Sequence, residues 1–158
     1  MSDSSSPSPP KLSEYEPILR ELLCLCGDQP GPELAQHERS GVPIGVVRLL
    51  AAKIDWPTVQ LYTQFGIAPH LIHARHDIKV QGLPCLLILE FIRTLRLAHD
   101  ICARSGAENF DVDHFFGRWL RRPLVALGEQ RPMDWLNCPS GAAVVRRTLS
   151  AAESGTYL

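Results

Sequence analysis

Residues 113–158, "DHFFGRWLRRPLVALGEQRPMDWLNCPSGAAVVRRTLSAAESGTYL", decide how this chain folds. An aromatic helix runs to Trp119-Leu120 and is broken by Pro123, because proline cannot donate to the helical ladder. A short segment then reaches Leu127-Gly128, Pro132 opens a turn holding Trp135-Leu136, and Ser140-Gly141 starts a last helix. On that helix Val145, Leu149 and Ala152 recur at helical spacing and form one apolar face, which leaves Arg146, Arg147, Ser150 and Glu153 turned outward. Gly155 supplies a left-handed stop, and Thr156, Tyr157 and Leu158 follow it. Nothing in the stretch alternates with the two-residue period of a strand.

Working outward, the same helical spacing returns. The pattern predicts helices near 44–54, 57–65 and 69–77, a long one from about 84 to 103, and one opening at Asp111. "SEYEPILRELLCLCG" places Ser13 three residues before Glu16, the spacing of a capping box, and ends on Gly27. Residues 28–43 are turn chemistry with at most a short helix. The Ser/Pro-rich start has no apolar content to bury and predicts a disordered lead over 1–12. The expected fold class is all-α: a helical domain over 13–105 with a helix-turn-helix-like segment at 58–76, then a small helical domain over 106–158.

Composition narrows the function classes. The chain has 158 residues, 45% hydrophobic and 21% charged, which excludes general disorder. Its net charge of −1 hides a gradient: three basic against seven acidic groups in 1–41, seven against four in 42–104, and six of each in 105–158. Only the middle third can attract nucleic acid, and weakly. The five cysteines sit among apolar neighbours without a CxxC, as expected of reduced packing residues in a cytoplasmic protein. The longest apolar run, 83–92, falls far short of a bilayer span. No membrane association is expected.

Three motif classes bear on function. "TVQLYTQFGIAPHLIHAR" (58–75) has the layout of a helix-turn-helix, but Tyr62 stands where the close helix crossing needs a small residue. If the segment reads DNA, the residues available are His70, His73, Arg75 and Lys79; the other reading is a helix pair kept for packing. His70, His73 and His76 are spaced by three, so their rings drift around a helix instead of converging on one ion, and no metal site or cofactor is expected. There is no nucleophile elbow, catalytic cysteine signature or phosphate loop, so no enzyme is expected.

The order Trp119-Leu120, Pro123, Leu127-Gly128, Pro132, Leu136, Gly141, Val145, Leu149 and Gly155 resembles the C-terminal toxin-binding domain of the Xre/MbcA/ParS family of type II antitoxins. The region from 58 to 103 resembles the family's N-terminal part more loosely. The resemblance implies an antitoxin whose partner is a cognate toxin that consumes NAD, of the RES type or an ADP-ribosyltransferase, and whose C-terminal end closes the toxin's active-site entrance. It implies that Trp119, Arg146, Arg147, Glu153 and the tail Gly155, Thr156, Tyr157 and Leu158 meet the toxin. A homodimer or larger toxin–antitoxin assembly, and autoregulation through operator DNA, go with it. The alternative is a helix-turn-helix transcriptional regulator without a toxin.

Overall fold

The computed structural model describes residues 10–155; most of the expected lead, and Thr156, Tyr157 and Leu158, lie outside them. The described chain is all-α, with seven α-helices: α1 (Glu16–Leu25), α2 (Pro32–Ser40), α3 (Ile44–Lys53), α4 (Thr58–Phe65), α5 (Gly82–Arg104), α6 (Val112–Trp119) and α7 (Pro139–Glu153). Two short strands, β1 (Val42–Pro43) and β2 (Lys79–Val80), pair antiparallel with Val42 opposite Val80.

The long helix α5 is the axis. It is apolar nearly all round in its first half because α1, α2, α4, α6 and α7 all pack on it. Cys85, Ile88, Phe91, Ile92 and Leu95 are fully buried, and the burial of Thr94 is relieved by donation from its hydroxyl to the Glu90 carbonyl at 2.8 Å. Phe91 sits edge-on between Phe65 of α4 (5.4 Å) and Phe116 of α6 (5.5 Å), and Phe116 stacks on Trp119. These offset geometries suit the ring quadrupoles. Residues on both sides of position 105 therefore share one apolar cluster.

Two glycines set the packing of the C-terminal third. A Cβ on Gly117 would lie 2.1 Å from the Ile54 carbonyl oxygen, so only glycine lets α6 touch the end of α3. At Gly141 a Cβ would meet the Trp135 carbonyl oxygen at 1.9 Å, which fixes the start of α7 against the preceding turn. Across the first contact the Trp56 indole donates to the Gly117 carbonyl at 3.0 Å, and Gln64 of α4 donates to the Met133 carbonyl at 2.7 Å.

The local expectations differ from the structure in three places. The Ser13 capping box does not form: a 3₁₀ turn, Leu12–Tyr15, leads into α1 at Glu16, because Tyr15 is buried where the missing side chain of Gly45 leaves room for its ring. The turn-rich 28–43 contains a nine-residue helix, anchored by the single buried Leu34. The helix expected over 69–77 is only a five-residue 3₁₀ helix, Pro69–His73. No helix among the described residues is long and apolar enough to cross a membrane.

Candidate functional site

Helix α7 has two working flanks. Arg146 and Glu153 lie on the flank facing α5: Arg146 donates to Glu90 at 2.6 Å, and Arg104 donates to both Glu153 carboxylate oxygens at 2.9 Å. Glu90 also accepts from Arg93 at 2.9 Å, and the Glu90 and Arg146 side chains are each about one-fifth exposed. The hydrogen bonds from Arg104 hold the Glu153 carboxyl below its ordinary range.

The opposite flank, Thr148 and Ala152, walls a groove of about 500 Å³. Its other side is built by Trp119, Arg122, Pro123 and Val125. The proline break after α6 sends the chain out into a 3₁₀ turn, Val125–Leu127, which is closed by donation from the Leu124 amide to the Gln130 carbonyl and by left-handed Gly128 (φ 65°). Leu127 points in and is buried, so Val125 points out and is 81% exposed. The groove is thus mostly apolar, with a strongly exposed valine on its lip. Below it, Arg131 donates to Asp134 at 2.8 Å, lowering that carboxyl's pKa, and Asp134 accepts from the Arg131 amide to cap the 3₁₀ turn Pro132–Trp135.

The predicted partner-binding residues thus separate. Trp119 lies in the groove; Arg147 is exposed and makes no ion pair among the described residues; Gly155 is the left-handed stop (φ 70°). Arg146 is not turned outward as its spacing predicted, because Glu90 draws it against α5. Glu153 likewise spends its carboxylate on Arg104. Thr156, Tyr157 and Leu158 lie outside the described residues. Sequence reasoning missed Val125 and Thr148; the only signal was the apolar "PLVAL" directly after a helix break.

Residues 108–155 match the family described as the antitoxin Xre/MbcA/ParS C-terminal toxin-binding domain. The C-terminal third is thus similar to that toxin-binding domain. A curated relative, the Prs ADP-ribosylating antitoxin of Sphingobium sp. (strain YBL2), is 35% identical over 71 residues, which cover 44% of this chain and 45% of the relative. The chain thus matches less than half of that relative's length. No solved structure matches the chain. Within the matched residues 108–155 the groove lies between the Trp-Leu helix end, the proline break and the last helix.

The helix-turn-helix-like segment lies outside that domain match. Its second half does not continue as an α-helix, because Arg48 of α3 holds it. Arg48 donates to the Tyr62 hydroxyl (2.9 Å), to His76 Nδ1 (2.9 Å), and to the carbonyls of Leu71 (3.3 Å) and Ile72 (2.9 Å). Those carbonyls would otherwise serve a continuing helix. Tyr62, out of place for a close helix crossing, is buried as a partner of this arginine. His70, His73, Arg75 and Lys79 are all exposed, but they come from a short turn, a loop and β2 and share no single helix face. Arg75 is paired with Asp77 at 3.1 Å. Among the described residues, no group of three or more His, Cys, Asp or Glu side chains is placed to hold a metal.

Proposed function

We propose that this protein is the antitoxin of a toxin–antitoxin pair and acts by binding a toxin that consumes NAD, in the manner of a plug and not of a catalyst. The observation that carries the reading is the groove beside Trp119: it falls inside the segment matched to a toxin-binding domain, and its lip, Val125, is the most exposed of the large apolar side chains among the described residues. The relative's name joins antitoxin to ADP-ribosylation, a reaction that consumes NAD, and this favours the ADP-ribosyltransferase branch of the expectation.

Recognition then divides between two surfaces. The groove takes an apolar element of the toxin, with Arg122 on its wall and Arg147, next to Thr148 in the chain, offering cations that make no ion pair among the described residues. The tail, Thr156, Tyr157 and Leu158, brings a hydroxyl, a ring and an isobutyl group to the active-site entrance. Tyrosine suits this role because it carries large contact area at low rotamer cost. Arg146 and Glu153 support the site by holding α7 on α5.

The test is an NAD-consumption assay of the toxin encoded beside this chain. Wild-type protein should silence it at equal molar ratio, and Tyr157→Ala should lose at least about thirtyfold in affinity, the size of an interface hot spot of about 2 kcal/mol. Full inhibition by Tyr157→Ala would move the contact to the groove, and no inhibition by the wild type would end the reading. Autoregulation belongs to the same proposal: His70, His73, Arg75 and Lys79 would contact operator DNA from an exposed loop. A gel shift abolished by Arg75→Ala supports it, and no retardation by the wild type, alone or with its toxin, removes it.

A further inference from the structure

We propose that the cavity where α1 ends against α5 and α7 is a binding site for a small oxyanion, a phosphate or carboxylate group, held by Arg93, Arg96 and Arg146. The cavity measures about 270 Å³, which suits a small ligand. Its walls include Gly27 and Asp28 beyond α1, Arg93, Arg96 and Asp100 along α5, and Arg146 from α7. Positions 93, 96 and 100 fall on one face of α5 because they are three and four residues apart. The groove beside Trp119 is a separate place, and no residue lines both.

Three guanidinium groups meet at this cavity, and their carboxylate partners do not saturate them. Glu90 accepts from Arg93 on Oε1 at 2.9 Å and from Arg146 on Oε2 at 2.6 Å. One oxygen apiece closes neither fork, whereas an arginine–carboxylate pair at its strongest uses two parallel bonds. Arg93 also keeps its Nε buried without a hydrogen-bond partner among the described residues, and a buried donor left unmade is costly. Arg96 is pinned by donation from Nε to Asp100 at 2.8 Å and from one terminal nitrogen to the Leu23 carbonyl at 2.9 Å. Around the cavity three positive charges thus stand against the two negative charges of Glu90 and Asp100. Asp28 carries a third, but it is exposed at the rim, makes no ion pair among the described residues, and water screens its charge. Open guanidinium forks with surplus positive charge are the chemistry that recognises phosphate and carboxylate oxygens.

The site stands apart from the antitoxin reading, and no toxin enters its test. In calorimetric titrations of the full chain at constant ionic strength, inorganic phosphate should bind saturably. At ten times its dissociation constant it should raise the melting temperature by about 3–6 °C. Acetate, titrated alike, tells the two sources apart: binding of phosphate alone, of acetate alone or of both supports the proposal and names the anionic group the site takes. Arg93→Lys keeps a cation beside Glu90 but loses the fork, and should weaken binding about tenfold, the size of one charge-assisted hydrogen bond. Asp28→Asn removes the rim's negative charge and should tighten binding. Arg20→Gln, at an exposed position outside the cavity, should leave it unchanged. No saturable binding of either anion overturns the proposal, as does a melting temperature that climbs without saturation, the behaviour of an excluded salt. Wild-type affinity in Arg93→Lys, or an equal loss in Arg20→Gln, overturns it too. If Arg93→Lys does not fold, Asp28→Asn decides, and an affinity unchanged there removes the site.

Discussion

Two helix–turn units in this molecule begin alike and end differently. In residues 58–78, α4 stops at left-handed Gly66 (φ 67°) and a proline opens a 3₁₀ turn; in residues 112–135, α6 stops before Pro123, and left-handed Gly128 (φ 65°) precedes another proline-opened 3₁₀ turn. The first unit is closed by a single buried-side partner, Arg48, which takes up the polar groups of the turn. In the second, Trp56 and Gln64 reach the Gly117 and Met133 carbonyls, but among the described residues no side chain takes up the carbonyls of the Val125–Leu127 turn, which stands away from α7 and leaves a groove. Whether a turn becomes scaffold or surface depends on what a third element offers it.

The largest expected effect breaks the second unit at its glycines. Gly117→Ala or Gly141→Ala forces a backbone carbonyl to move, and each should cost at least about 3 kcal/mol in urea denaturation, at the high end for overpacking. Gly66→Ala meets open space and pays only for its left-handed backbone, about 1 kcal/mol. Equal costs at Gly117 and Gly66 would mean that α6 does not approach Ile54 closely.

Next comes the lock on the first unit. Arg48→Met strands the Tyr62 hydroxyl and two carbonyls, and should cost about 2–3 kcal/mol. Amide exchange should quicken over 69–78 while the groove resonances stay put. Uniform quickening across the chain would show that the lock is not local.

A smaller effect separates the two flanks of α7. Arg146→Ala leaves Glu90 with Arg93 alone and should lower stability by about 1–2 kcal/mol, whereas Arg147→Ala should stay within about 0.5 kcal/mol. Thermal melts of both variants decide it, and a reversed order would place Arg147 against α5.

The smallest effect concerns pH. The Asp134 carboxyl is held below its ordinary pKa chiefly by the hydrogen bond from Arg131, so the folded state binds its proton less readily than the unfolded chain. Its contribution is full above about pH 4 and is lost as pH falls through the lower folded value. Because the pair is largely exposed, the loss should be well under 1 kcal/mol. Denaturation at pH 7 and pH 3 should show it, and Asp134→Asn should remove that part of the pH dependence.

Much of the framework was legible because helical period, proline breaks and glycine stops are local. Asp111 opens α6 by accepting from the His114 amide, and α7 runs from Pro139 to Glu153 where Ser140 to Glu153 was expected. The helix over 69–77 was misread because its alternative partner, Arg48, lies more than 20 residues upstream. The candidate site was half legible. Trp119 could be named from its order among the prolines and glycines, but the sides of α7 could not be told apart, because Arg146 and Arg147 are equally polar and only Glu90 on α5 distinguishes them.

By itself, then, the sequence determined the all-α class, many of the places where helices end and the resemblance of the last third, since each rests on residue types acting over a few neighbours. The tertiary structure alone decided which polar residues are consumed and which surface stays open. Ion pairs such as Arg146–Glu90 and approaches such as Gly117 to Ile54 join residues about 55 or more positions apart, and no local pattern records them.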